Sequence, residues 1–503
     1  MKYAALFDTA SIQQYVFGSS KLKENLGASY NIENIYKVFE NETNIANIKF
    51  EKGFIGGGNA LIFFENEDNC KEAVKSFTRD ILVKYPGVTV VVASGELDKD
   101  SPNFRVGLND LFSQLQKNKS AYLQQTIPPS FGFFAEDITN GFAANMAYEV
   151  DKNDQRYVSA VTASKLLSIE ESKKKYDSIL RKVLSDNKYE LPTDLEDLGR
   201  VEGSSHIAIV HIDGNSMGMR FIEQKDLPNI QALSKTVAEK VQEAFNYIIK
   251  QMPEITEKLC KELNIENKHK LFIRPIIIGG DDITFITNGK LGVYLAKLFI
   301  EKLQEGELSD GKPLYACAGV AITNYKYPFY RGYQIAEDLC SIAKAKSKEL
   351  KEKTDDEQKS WLDFHVVFGG ISDSVSEIRE TQYNNDITKA GDKTFIQRPF
   401  GIKTNTKFDM DKYLEPMKTF SEKDSQGKKK FPRNKIKELR SAIIKGKDEC
   451  EKFTHHLNAI DLNLPSFGDE FKNNQIVNGG TPYFDMIELL DFYPEFELMK
   501  GEK

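Results

Sequence analysis

The residues best placed to do chemistry are three aspartates. Asp213 closes the apolar run His206 to Ile212 (HIAIVHI), and Asp281 and Asp282 complete the turn Gly279-Gly280-Asp281-Asp282 after the apolar run Leu271 to Ile278. A short apolar run stopped by a charge reads as a buried strand, and Gly-Gly between two such runs as a hairpin turn. Neighbouring strands lie ~4.8 Å apart, so carboxylates at the end of one and the start of the next converge on one or two divalent ions. Hard oxygen ligands suit Mg²⁺ or Mn²⁺. Two such ions would activate a ribose 3′-hydroxyl and steady a leaving pyrophosphate in an in-line displacement. Gly279 and Gly280 let the chain turn tightly and a nucleotide come close. Gly214, Asn215, Ser216, Met217 and Gly218 form a turn whose amides can hold phosphates. Lys344 and Lys348, four apart on one helical face, would neutralise a triphosphate. Each feature has a plainer counterpart: a hairpin turn, a polar strand-to-helix loop, a solvated lysine face.

The elements around these residues follow one order twice. Strand His206–Ile212 leads to a helix opened by Pro228, with Ile230, Leu233, Val237, Val241, Phe245 and Ile248 on one face. Strand Leu271–Ile278, the turn and strand Ile283–Thr287 come next. A helix over about 291–303, a strand over 314–322 and a helix over about 328–350 complete a βαββαβ unit, the ferredoxin-like palm arrangement. That order puts the first and third strands side by side and the second at the edge, where Pro275 is tolerated. The N-terminal segment repeats the order: strand Tyr3–Phe7 ending at Asp8, a helical stretch over about 11–39, strand Ile48–Ile55, the turn Gly56-Gly57-Gly58-Asn59, strand Ala60–Phe64, a helix and strand Val88–Ala93. Its turn has no carboxylate, so this palm should not catalyse.

The fold class expected is therefore α+β: two ferredoxin-like palms, at 1–165 and 201–370, joined by a linker at 166–200 and followed by a small, mostly α-helical domain at 371–503. Trp361 and Asp363–Val367 read as core packing beside the second palm.

Composition agrees with a globular protein: 503 residues, 40% hydrophobic and 28% charged. With a net charge of −7, any contact with nucleic acid must come from a local patch or from partner subunits. The stretch Lys428-Lys429-Lys430, Arg433, Lys435, Lys437, Arg440, Lys445 and Lys447 is such a patch, or a solvated helix face. Cys70, Cys260, Cys317, Cys340 and Cys450 are too scattered for a zinc ribbon or a CxxC redox pair and fit a reducing cytoplasm. No apolar run approaches the ~18 residues of a membrane span, and the N-terminal run is too short for a signal peptide, so a cytoplasmic location is expected.

Four segments carry a family resemblance. SIQQYVFGSSKLKENLGAS (Ser11 to Ser29) is similar to the opening of the large signature subunit of type III CRISPR effector complexes. HIDGNSMG, IIIGGDD and AEDLCSIAKAK resemble that family's second palm. The resemblance covers about residues 1–370 and implies a synthase polymerising ATP into 3′–5′ linked cyclic oligoadenylate in antiviral signalling. Asp213 and Asp281 would bind metal, Asp282 would share that role or act on the attacking hydroxyl, Asn215 to Gly218 would line the nucleotide site, and Lys344 would face phosphate. Gly57, Gly58 and Asn59 would admit a second ATP as acceptor, or mark a purely structural duplicate. Guide and target RNA, through partner subunits, are the implied partners, with a standalone or homo-oligomeric form as the alternative. No His-Asp dipeptide occurs among the six histidines and the chain opens at the first palm, so DNA cleavage by the HD nuclease domain of many family members is not expected. The family's cysteine cluster is also missing. Two other readings stay open: a palm-fold cyclase using another nucleoside triphosphate, and a non-catalytic scaffold for RNA and neighbouring subunits.

Overall fold

The computed structural model describes residues 2–41, 44–121, 132–151, 154–186, 188–199, 205–266, 269–354, 359–369, 374–383, 395–424, 429–468, 471, 475–477 and 480–499. It is an α+β protein containing both palms. In the first, strands Tyr3–Ala10, Glu51–Gly56, Asn59–Phe64 and Thr89–Glu96 form an antiparallel sheet in the order second, third, first, fourth. In the second, His206–Gly214, Ile273–Gly279, Asp282–Asn288 and Ala316–Asn324 take the same order. The near-continuous apolar runs exist because both sheet faces are covered, as the full burial of Ala208, Ile209, Val210 and Ile212 shows.

Pro275 lies on the edge strand, as the order requires, and the ladder is interrupted between Pro275 and Ile277. A proline donates no ladder hydrogen bond, so edge and bulge are where it costs least. The first palm breaks its edge strand at the equivalent place, between Lys52 and Phe54. Each break is tied to the other palm. Ser29 Oγ, on the first palm's helix Leu22–Asn34, donates to Ile276 O, while Gln231 Nε2, on the second palm's helix Leu227–Leu263, donates to Gly53 O. The exchange is reciprocal, and each bond contributes about 1 kcal/mol.

Three expectations need correction. The helical stretch over 11–39 is three helices, Ile12–Phe17, Leu22–Asn34 and Lys37–Asn41, the first interruption falling at Gly18-Ser19-Ser20. The span 166–200 is not a bare linker: helices Ala160–Leu167 and Ile169–Leu184 fill much of it, and Tyr176 and Leu180 enter the second palm's core from a stripe hidden among lysines and glutamates. Trp361–Val366 packs into the core beside the palm as expected, as a buried fifth strand parallel to Ala316–Asn324, with Phe400–Gly401 as a sixth. Residue 370 is therefore no core boundary. The C-terminal helices Met410–Ser421, Arg433–Lys445, Lys447–Asn458 and Pro482–Leu490 share one apolar core with the second palm. Most of the polar stretch Asp373–Phe395 lies outside the described residues.

That union carries a buried charge network. Arg398, fully buried, places Nη1 3.0 Å from Asp485 and 2.8 Å from Glu488, and Nε 3.8 Å from Asp363 on the fifth strand. Arg379 closes on the same Asp363 with two hydrogen bonds of 2.8 and 2.9 Å. No described helix is long and apolar enough to cross a membrane.

Candidate nucleotidyl-transfer site

Strand register builds the site. Asp282 stands directly opposite Asp213, and Gly279 opposite Asp282. The amide of Gly214 donates to Asp281 O at 3.1 Å, drawing the turn onto the end of the first strand. A Cβ on Gly214 would lie 2.8 Å from the Asp281 Cβ, so only glycine lets that carboxylate sit where it does. Lys344, on helix Phe329–Thr354, forms an ion pair with Asp213 Oδ2.

The carboxylates repel one another. Burial, then Asp213, raises Asp281 above the ordinary aspartate range; burial, then Asp213, Asp281 and Glu337, pushes Asp282 up to about 8. Burial works against the Lys344 charge, yet Asp213 holds it above the ordinary lysine value. Asp282 Oδ1 takes no hydrogen bond from a described residue and stands 3.5 Å from Nδ1 of buried His211, whose own pKa burial lowers to about 4.

Among the described residues no three Asp, Glu, His or Cys side chains are gathered closely enough to hold a metal ion. The expected cage of Asp213, Asp281 and Asp282 is thus not assembled: the ammonium of Lys344 takes a place on Asp213 that a cation would take. The donor set still fits a hard divalent ion, being all carboxylate oxygen with one buried oxygen unpartnered and with mutual repulsion that a cation would relieve.

The turn after Asp213 divides. Ser216, in the left-handed region at φ 56°, and Gly218 are exposed and face solvent. Asn215 is only 5% exposed and gives its amide to Lys359 O, and Met217 is 4% exposed in the core, so the side chains of these two pack inward and shape the loop. Arg220 braces this segment through Asp310 and the carbonyls of Lys312 and Pro313. Lys348, one turn beyond Lys344, is exposed.

The first palm reproduces the frame without the acids. Asp8 stands opposite Asn59 as Asp213 stands opposite Asp282, and Thr9 N donates to Gly58 O as Gly214 N does to Asp281 O. Asn59 Nδ2 turns back onto Gly57 O. Lys119, on the helix after the fourth strand, pairs with Asp8 at 2.8 Å, as Lys344 pairs with Asp213. The two turns meet: a Cβ on Gly280 (φ 60°) would lie 3.5 Å from Gly57 Cα. Sequence reasoning missed Lys119 and also Glu337, a half-buried carboxylate whose charge acts on Asp282. The signal for Lys119 was its spacing from the fourth strand, nearly that of Lys344.

The C-terminal basic stretch is largely neutralised. Lys429 pairs with Glu495, Lys430 with Glu422, Arg433 with Asp491, Lys435 with Glu438 and Lys447 with Glu451, while Arg440 lies over the Phe484 ring. Lys428 lies outside the described residues.

Sheet order and paired carboxylates define a palm domain with a nucleotidyl-cyclase-like fold. Residues 206–354 match the family described as Cas10/Cmr2, second palm domain. The whole chain shares its fold with Csm1 of T. onnurineus: 13% identity, TM-score 0.50, covering 99% of this chain and 68% of that one. A Csm1–Csm4 cassette in complex with AMPPNP aligns at 12% identity and TM-score 0.42, over 69% of this chain and 53% of its own, and one in complex with pppApApA at 12% and 0.47, over 98% and 69%. The chain thus spans about half the length of the AMPPNP-bound structure. No curated protein matches the chain.

Proposed function

We propose that the second palm is a metal-dependent nucleotidyltransferase that polymerises ATP into 3′–5′ linked cyclic oligoadenylate, in a large subunit of a type III CRISPR effector complex. The carrying observation is the register that sets Asp213 against Asp282, with Asp281 bonded beside them, inside a segment that matches the Cas10/Cmr2 second palm domain. Asp213, Asp281 and Asp282 would hold Mg²⁺ or Mn²⁺, which when bound lowers the acidity barrier of a ribose hydroxyl and offsets charge on the leaving pyrophosphate. Lys344 exchanges its pairing with Asp213 for a triphosphate oxygen, freeing that carboxylate as substrate arrives. Gly279 and Gly280 clear space for the nucleotide, and the exposed backbone at Ser216 and Gly218 takes phosphate; Lys348 extends the positive face. The first palm, with Asn59 where the second has Asp282, holds an acceptor ATP against Gly57 and Gly58 without catalysing. RNA-linked partner subunits would supply the activating signal.

The test is to incubate the purified chain with ATP and Mg²⁺ or Mn²⁺, with and without RNA, and identify products by mass spectrometry. Cyclic or linear oligoadenylate is expected, and none when Asp281 and Asp282 are both changed to Ala with folding intact. Retained synthesis in that variant overturns the assignment. Separate incubation with each labelled nucleoside triphosphate tests base identity, and equal use of GTP would shift the reading to a different cyclic product.

A further inference from the structure

Lys344 reaches Asp213 from a helix face that is also tied down on either side of it. On helix Phe329–Thr354, Cys340, Lys344 and Ser347 stand at spacings of four and three, which places them on one side. Cys340 Sγ donates to Cys317 O at 3.2 Å, and Cys317 is the residue directly beside Asp213 on the fourth strand. Lys344 follows, on Asp213 itself. Ser347, only 1% exposed, gives its hydroxyl to Lys359 O at 2.7 Å. Cys317, Cys340, Ala343 and Trp361 form one apolar cluster under the same face.

The last acceptor is shared. Lys359 O also takes the side-chain amide of Asn215 at 3.0 Å, while the Asn215 backbone amide donates to Tyr315 O at 2.8 Å. Lys359 is held in place from the adjoining residue: Ser360 Oγ accepts from Ala316 N at 3.1 Å, and Ser360 O accepts from Ile402 N at 3.0 Å. One carbonyl at the entry to the fifth strand, outside the βαββαβ unit, thus joins the loop after Asp213 to the helix that carries Lys344.

We infer that Ser347 is a positioning residue for Lys344, and that it registers this lysine against the loop 214–218 through the Lys359 carbonyl. A lysine ammonium rides on a flexible four-carbon stem, so where it can reach is set by where its backbone is held. The pairing with Asp213 cannot hold that backbone once the ammonium leaves for a phosphate oxygen. The bonds from Cys340 and Ser347 carry no net charge and do not depend on Lys344, so they persist through the exchange. The ammonium then passes from carboxylate to phosphate by rotating its own stem. Without the Ser347 hydroxyl, the fraction of molecules with Lys344 in reach falls, and apparent nucleotide affinity falls in proportion. An ordinary hydrogen bond bounds that loss at about fivefold. The inference rests on the proposed reading of Lys344 as a triphosphate contact.

The test is calorimetric titration of the full chain with AMPPNP in Mg²⁺, alongside KM and kcat for ATP. The proteins compared are wild type, Ser347→Ala, Lys344→Ala and the double variant, each confirmed folded by circular dichroism. Ser347→Ala is expected to bind AMPPNP about threefold to fivefold more weakly. It should raise KM by the same factor and leave kcat unchanged, since the contact it secures is made before and during transfer alike. In the Lys344→Ala background the same change should have no further effect on affinity. Wild-type affinity in Ser347→Ala, an equal loss on top of Lys344→Ala, or no AMPPNP binding by the wild type overturns the inference. If affinities shift as expected but the wild type makes no product from ATP, the nucleotidyltransferase reading fails and this inference stands. If product forms and Ser347→Ala binds AMPPNP as the wild type does, the inference fails alone.

Discussion

Asp282 keeps a proton that an isolated aspartate would have lost, because burial and two neighbouring aspartates oppose its charge. The sign of the consequence is definite. The folded state holds this proton up to about pH 8 whereas the unfolded chain releases it near the ordinary aspartate value, so between those limits the unfolded state binds fewer protons and stability falls as pH rises. Wild-type protein in chelator should therefore lose melting temperature between pH 5 and 8 more steeply than Asp282→Asn does. Added Mn²⁺ should recover that loss most strongly at the alkaline end, where ion and proton no longer compete. Calorimetry across the pH series checks both, and parallel curves would remove Asp282 from the cluster. The three aspartates were legible because each sits at a point of sequence punctuation, an apolar run stopped by acid. Glu337 was not, since it lies within a helix where nothing local separates a site-facing glutamate from a solvated one.

Turns, bulges and helix faces carry the arrangement that lets those residues meet. Gly280 adopts a left-handed conformation against Gly57 of the other palm, so Gly280→Ala adds backbone strain of about 1–2 kcal/mol and sets a methyl group 3.5 Å from the opposite turn. Product formation should drop at least tenfold, by about 1.4 kcal/mol or more of lost alignment, with the fold retained; full activity would show that the turns need not touch during reaction. Ser29→Ala should cost about 1 kcal/mol in chemical denaturation, since Ile276 O then loses its donor. The proline that marked the edge strand was readable from its chemistry alone. The helix Ile169–Leu184 was not, because Tyr176 and Leu180 are spaced among so many charged residues that only the core they enter reveals the stripe.

Across the whole molecule, the second palm and the C-terminal helices are expected to unfold as one unit. Their apolar core is continuous and Arg398 links strand Trp361–Val366 to helix Pro482–Leu490 through Asp363, Asp485 and Glu488. Arg398→Met leaves Asp485 and Glu488 buried without their counter-charge, while Asp363 keeps Arg379, and is expected to destabilise the protein by about 3–5 kcal/mol. Denaturant unfolding followed separately at Trp361 and by helical circular dichroism should lose both signals together; two separate transitions would show the C-terminal helices to be independent. This union was hidden from the sequence because its members are scattered charges, each unremarkable until folding buries it.

The reciprocal bonds from Ser29 to Ile276 and from Gln231 to Gly53 have a mechanical consequence. Sliding one palm along the other must break both at once, and it must also shear the apolar core that Phe7 and Phe17 share with Ile276 and Tyr333. The alignment of Gly57 with Gly280 is therefore held by polar bonds and by packing together, and a change that loosens either lets the two turns drift out of line.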